Sequence, residues 1–155
     1  MSEAVVASVD TRQRVGLWGA LPYLAWTQAV VATAGSLYFS EVMDLQPCVL
    51  CWYQRILMYP LVALLAVGIL RRDRGLAAYV LPLTLVGLAI AAYHNLLYYG
   101  VLPENAQPCR LGVSCTTRQI EWLGFVTIPL MSLVAFSVIN VCMGLYGAGK
   151  RYFDE

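Results

Sequence analysis

The sequence predicts an all-α integral membrane protein, an antiparallel bundle of four transmembrane helices with both termini in the cytoplasm. Three observations carry that expectation. The chain is 60% hydrophobic with only 12% charged residues, about half the ~25% charge of a soluble domain. Its charges are bunched, which leaves four runs without any. Seven of the ten basic residues cluster in segments that four crossings would bring to one side.

The uncharged runs are Val15–Phe39, Ile56–Leu70, Leu76–Val101 (His94 counted neutral) and Trp122–Tyr146. A helix needs ~20 residues to cross ~30 Å of hydrocarbon. Three runs suffice outright, and the second borrows its first turn from Cys51–Arg55 at the interface. The predicted spans are therefore about 15–39, 51–70, 76–100 and 122–146, with outer loops at 40–50 and 101–121, all within one domain of residues 1–155. No cleavable signal peptide is expected, because the first apolar run is long and lacks a small-residue cleavage site.

Arg12 and Arg14 precede the first span, Arg71, Arg72 and Arg74 fill the second connection, and Lys150 and Arg151 follow the fourth. An excess of Lys and Arg marks cytoplasmic segments, so the loops near 40–50 and 101–121 are expected outside. The helices are expected to lie in a membrane, with lipid around them. A formal net charge of +1 gives no reason to expect a nucleic-acid partner.

Taken in order, the first span tolerates Pro22 and a Gly35-Ser36 step, since neighbouring helices can re-satisfy the backbone. Pro47 suits the start of the second, its φ being set for a helix and its missing N–H being no loss there. Arg71–Gly75 is short enough only for a reversal. The third ends in Tyr93, Tyr98 and Tyr99, an interfacial aromatic belt. The connection before the fourth is polar, with Pro103, Pro108 and Gly112.

Four of the five cysteines fall on the predicted outer side, as the pairs Cys48/Cys51 and Cys109/Cys115, while Cys142 lies in the cytoplasmic half of the fourth span as a packing residue. Disulfides persist on that side and not in the cytosol. Cys48 and Cys51 stand at a helix N-terminus, where the dipole and unpaired amides favour a thiolate. Arg55, four residues after Cys51, shares its helix face. An arginine costs about 2.5–3.5 kcal/mol at mid-membrane and less near the surface. It could snorkel outward, but stabilising an anion beside Cys51 also explains the shared face.

Two dithiol pairs on one side suggest a relay. Disulfides move by thiolate attack through mixed disulfides, so the loop pair can meet a visiting protein and pass electrons to the helix pair. An acceptor for Cys48–Cys51 must live in the bilayer, and a quinone is the obvious one. His94 and Asn95 lie at a depth similar to Arg55, with His94 a candidate hydrogen-bond donor to a quinone carbonyl. Trp52, Tyr53 and Tyr59 could wall the site. The competing readings are a membrane scaffold or carrier whose disulfides only staple its loops, and a Cys₄ zinc site of Cys48, Cys51, Cys109 and Cys115.

The stretch Pro47-Cys48-Val49-Leu50-Cys51-Trp52-Tyr53-Gln54-Arg55 resembles the signature of the DsbB/BdbC disulfide bond formation proteins. Cys109–Thr117 followed by Glu121–Pro129 resembles the BdbC-like branch, and the likeness covers about Gly16 to Tyr146. The resemblance implies an enzyme, a quinone-dependent protein-dithiol oxidoreductase making disulfides de novo with ubiquinone or menaquinone as acceptor and no metal. It implies the bacterial inner, or plasma, membrane as location and a DsbA/BdbD-like thioredoxin-fold oxidase outside it as partner, with Cys109 forming the mixed disulfide and Cys115 completing the loop pair. Cys51 would face the quinone and form a thiolate–quinone charge-transfer adduct, supported by Arg55, with His94 near the quinone. One departure is the loop, where only five residues separate Cys109 from Cys115 and the better-known members have a much longer segment. The vitamin K epoxide reductase-like enzymes also combine Cys-x-x-C, loop cysteines and quinone, but carry the motif near the end of the bundle.

Overall fold

The computed structural model describes residues 2–102 and 127–154, with side chains over 18–102 and 127–149. It is a bundle of α1 (Ser2–Leu37), α2 (Val49–Leu70), α3 (Leu76–Tyr98) and α4 (Ile128–Asp154), without a strand among the described residues. A π-helical turn, Tyr38–Val42, prolongs α1. Each helix packs on its chain neighbours and α1 closes against α4, so the order around the bundle is the chain order. The all-helical, four-helix class expected from the uncharged runs is the one observed.

Val49–Leu70, Leu76–Tyr98 and Ile128–Gly149 are long and apolar enough to cross a membrane. The fourth helix of the set, α1, is more polar within its uncharged run, with Thr27, Gln28, Thr33 and Ser36. Large apolar side chains point outward all round, among them Leu70, Ile56, Val141 and Leu85, as lipid contact requires.

The helix ends follow local chemistry. Cys48 is the N-cap of α2, with extended backbone (φ −69°, ψ 171°) and its sulfur accepting from the Cys51 amide at 3.4 Å. Pro47 lies one residue ahead of the cap, at the entry to the helix. Both α2 and α3 close with the paired bonds of a Schellman motif. After α3, Gly100 N–H reaches Leu97 O at 3.1 Å and Val101 N–H reaches Leu96 O at 3.0 Å, with Gly100 at φ 71°. After α2 the left-handed position is Arg72, at φ 50°. There Asp73 turns the chain, accepting from the Gly75 amide at 2.7 Å and the Tyr79 hydroxyl at 3.0 Å. The expected start of the last span, residues 122–126, lies outside the described residues, and α4 continues past 146 to Asp154.

The main core runs through the half of the bundle away from Cys48, built from Leu61, Leu65, Leu76, Val80, Ile139 and Met143, with Phe136 bounding it on the Cys48 side. Cys142 packs in this core, as its position suggested. At Gly87 the ring of Phe136 occupies the place a Cβ would take, so α3 and α4 approach closely there. Two interhelical polar contacts cross this region, and in one the Trp26 indole N–H donates from α1 to Val62 O at 3.2 Å. Thr84 Oγ1 donates to Asn140 Oδ1 at 2.9 Å, and Asn140 Nδ2 donates to Thr84 O at 3.0 Å.

Candidate active site

The ends of α1 and α3 and the starts of α2 and α4 meet at the Cys48 end. The N-cap geometry of α2 turns Cys48 Sγ back over its own first turn, to 2.9 Å from Cys51 Sγ. Both cysteines are free thiols here. The hydrogen bond from the Cys51 thiol, helped by His94 and by the Cys51 amide, pulls the Cys48 thiol down to about 4 against the opposing push of burial. Cys48 is thereby the sulfur of the pair favoured to carry the charge.

Cys51, half-buried, is the sulfur that opens onto a cavity of about 630 Å³ between α1, α2 and α4. Gln54, Arg55, Met58 and Tyr59 continue the α2 wall. Ser36 and Phe39 come from α1, and Met131 and Phe136 from α4. Arg55 is fixed by its Nη2 donating to Ser36 O at 3.0 Å, two residues before the π-helical segment. Where bonding changes from i−4 to i−5, carbonyls become open to side chains. Ser36 O also takes the Ser40 hydroxyl at 3.2 Å, and Tyr59 OH lies 3.5 Å from Ser36 Oγ. The guanidinium stacks 5.7 Å over the Trp52 ring. It turns inward to α1 instead of snorkelling outward, and with five N–H donors in its fork it has further hydrogens to offer the cavity.

His94 stands behind the dithiol, only 2% exposed, with Nε2 at 3.8 Å from Cys48 Sγ and Nδ1 at 3.3 Å from Gln54 Nε2. It does not line the cavity. Trp52 and Tyr53 are about half exposed and also lie outside the lining. Residues adjacent in a helix point about 100° apart, so Trp52 cannot share the face of Cys51. Asn95 ties the helices together, its Nδ2 donating to Ala91 O and Pro129 O, each at 2.8 Å. Cys109 and Cys115 lie outside the described residues. Gln54 is the member that sequence reasoning missed, and an amide in an otherwise apolar helix, three residues from Cys51, was the available signal.

The structure thus brings together Cys48, Cys51, Arg55 and His94. Cys51 and Arg55 face the cavity, while Cys48 and His94 stand behind them. Such an arrangement can hold a thiolate, exchange a disulfide, and present one sulfur with a cation to a ligand from the membrane.

Comparison with known proteins agrees with that chemistry. The sequence model described as "Disulfide bond formation protein DsbB" matches residues 19–146. "Disulfide bond formation protein C" of Bacillus subtilis (strain 168) is 44% identical over 128 residues, covering 83% of this chain and 93% of that protein. "Probable disulfide formation protein C 1" of Bacillus anthracis is 44% identical over 120 residues, 77% of this chain and 86% of its own length. "Probable disulfide formation protein" of Metapseudomonas resinovorans is 40% identical over 132 residues, 84% and 92% of the two chains. No solved structure matches. With the redox-capable cysteines and the apolar helices in place, this chain is a multi-pass membrane oxidoreductase of disulfide formation and belongs to the DsbB family.

Proposed function

We propose that the protein makes disulfides de novo, taking two electrons from an extracytoplasmic thioredoxin-fold dithiol and delivering them to a membrane quinone. The net reaction is partner dithiol plus quinone giving partner disulfide plus quinol. Cys109 and Cys115 meet the partner, Cys48 and Cys51 receive the electrons, and the Cys48 end faces away from the cytoplasm in the plasma membrane. The orientation rests on the basic residues at the opposite end, Arg71, Arg72 and Arg74.

The observation that carries this reading is the placing of Cys51 and Arg55 side by side in the wall of a largely apolar cavity at the membrane end of the bundle. The donor set fits a quinone, since a flat apolar ring suits Phe39, Met58, Met131 and Phe136, and a carbonyl suits the Arg55 fork. A quinone bound there supplies the two-electron acceptor. Arg55 holds negative charge beside Cys51, and the surrounding apolar side chains exclude water.

The Cys48 thiolate bears on the partner's side. Stabilising it stabilises the reduced pair, which makes the disulfide a stronger oxidant, and a sulfur that carries charge well leaves faster when its bond is attacked. Both effects draw electrons from a partner dithiol.

Arg55→Ala tests the cavity assignment. Quinone reduction should slow about 10²-fold, the scale of losing one charge-stabilising group, while thiol exchange between the loop pair and its partner stays within about twofold. Unchanged quinone kinetics would remove Arg55 from the mechanism.

A second reading has one observation in its favour. Cys48 Sγ, Cys51 Sγ and a His94 nitrogen lie within 4.8 Å of one another and could hold a soft metal ion. Elemental analysis of the purified protein separates the two. One tightly bound zinc per chain that protects both thiols would replace the redox reading.

A further inference from the structure

Behind the dithiol lies a buried contact that the relay does not require. Gln54 is 7% exposed and His94 is 2% exposed, so neither side chain is dressed by bulk water. A carboxamide nitrogen carries only hydrogens and can only donate. At 3.3 Å from His94 Nδ1, it needs a lone pair there. A neutral imidazole with a bare Nδ1 carries its single proton on Nε2, and Nε2 is the atom 3.8 Å from Cys48 Sγ. Reversing the amide would put its oxygen on an Nδ1–H and leave a bare Nε2 facing sulfur, lone pair against lone pair whenever Cys48 is a thiolate.

We propose that Gln54 is a positioning residue that fixes the Nε2–H form of His94 and so aims the imidazole's hydrogen at Cys48 Sγ. The consequence for the relay, resting on the function proposed above, concerns every step in which a bond to Cys48 sulfur breaks. The departing thiolate meets a donor already in place, with the Cys51 amide as its second donor at 3.4 Å. Gln54 also lines the cavity. It thereby links the wall that faces a membrane ligand to the rear of the dithiol, through two hydrogen bonds and without touching Cys48.

His94 is the single histidine of the chain, so protein labelled with ¹⁵N-histidine reports on one imidazole. The test measures, in reduced full-length protein in detergent at pH 8, which ring nitrogen carries the proton. The wild type should show the proton on Nε2. In Gln54→Glu the carboxylate can only accept, so the proton should move to Nδ1. In Gln54→Leu the two forms should mix. A role in packing alone would leave the tautomer of Gln54→Glu unchanged. A proton on wild-type Nδ1, or the same tautomer in the wild type and Gln54→Glu, overturns the proposal. The wild-type spectrum decides the matter even if a variant fails to fold. None of these readouts uses a quinone or a partner, so a failed acceptor assignment and a failed tautomer assignment are told apart.

Discussion

At the Cys48 end, Cys48, Cys51, Gln54, Arg55 and His94 are held by bonds between side chains and to single carbonyls, beside a large cavity. In the opposite half, Leu61, Leu65, Val80 and Ile139 interlock with essentially no exposure, and at its border with the cavity the Phe136 ring fills the space left by Gly87. Thr84 and Asn140 join α3 to α4 there by side-chain hydrogen bonds, and the Trp26 indole N–H donates across from α1 to Val62 O at 3.2 Å. Lipid offers little hydrophobic drive for helix association, so the packed half must hold the bundle by shape. The Cys48 end is thereby left loosely filled, with room for a ligand. The lesson is a division of labour, stability at one end and chemistry at the other, and substitutions can test it.

The largest effect should come from Cys51→Ala, which removes the sulfur that faces the cavity. Dithiol-to-quinone turnover should fall at least about 10³-fold, equivalent to about 4 kcal/mol in barrier, with a melting temperature close to the wild type. A large loss of thermal stability in that variant would break the comparison, because the site would then be part of the scaffold. Next is Leu65→Ala in the packed half. Lost contacts and the cavity left behind should destabilise the bundle by about 2–3 kcal/mol, seen as a lower unfolding midpoint in detergent. Turnover per folded molecule should be unchanged within about twofold. Smallest is Thr84→Val, which trades the bond to Asn140 for a methyl group. Interhelical hydrogen bonds within membranes average about 0.6 kcal/mol, so a loss of that order is expected. A loss several times larger would show that the polar pair anchors the packed half.

Much of this division was visible in the sequence, and the missing part has a physical reason. Uncharged runs bounded by charged residues locate helices without any knowledge of packing, because a bilayer enforces length and apolarity. The i, i+4 spacing of Cys51 and Arg55 fixes a shared face from helix geometry alone, and the structure places both in the cavity wall. Helix rotation about the bundle axis is not encoded so locally. His94 and Arg55 have similar depth, yet one stands behind the dithiol and the other beside the cavity, which depends on how α3 turns against α2. The Gln54–His94 contact spans 40 positions in the chain and has no periodic signature. The π-helical turn Tyr38–Val42, beside the carbonyl that holds Arg55, carries no composition that marks it.

The central claim is that electrons leave the cysteines for a quinone. The most direct test takes the purified protein, reduced with dithiothreitol and freed of it under anaerobic conditions, and counts thiols before and after quinone is added. Loss of the Cys48, Cys51, Cys109 and Cys115 thiols in step with quinol formation, two thiols per quinol, is the result expected. Folded protein that keeps its thiols beside intact quinone would contradict the account and leave the cysteines as structural or metal-binding groups.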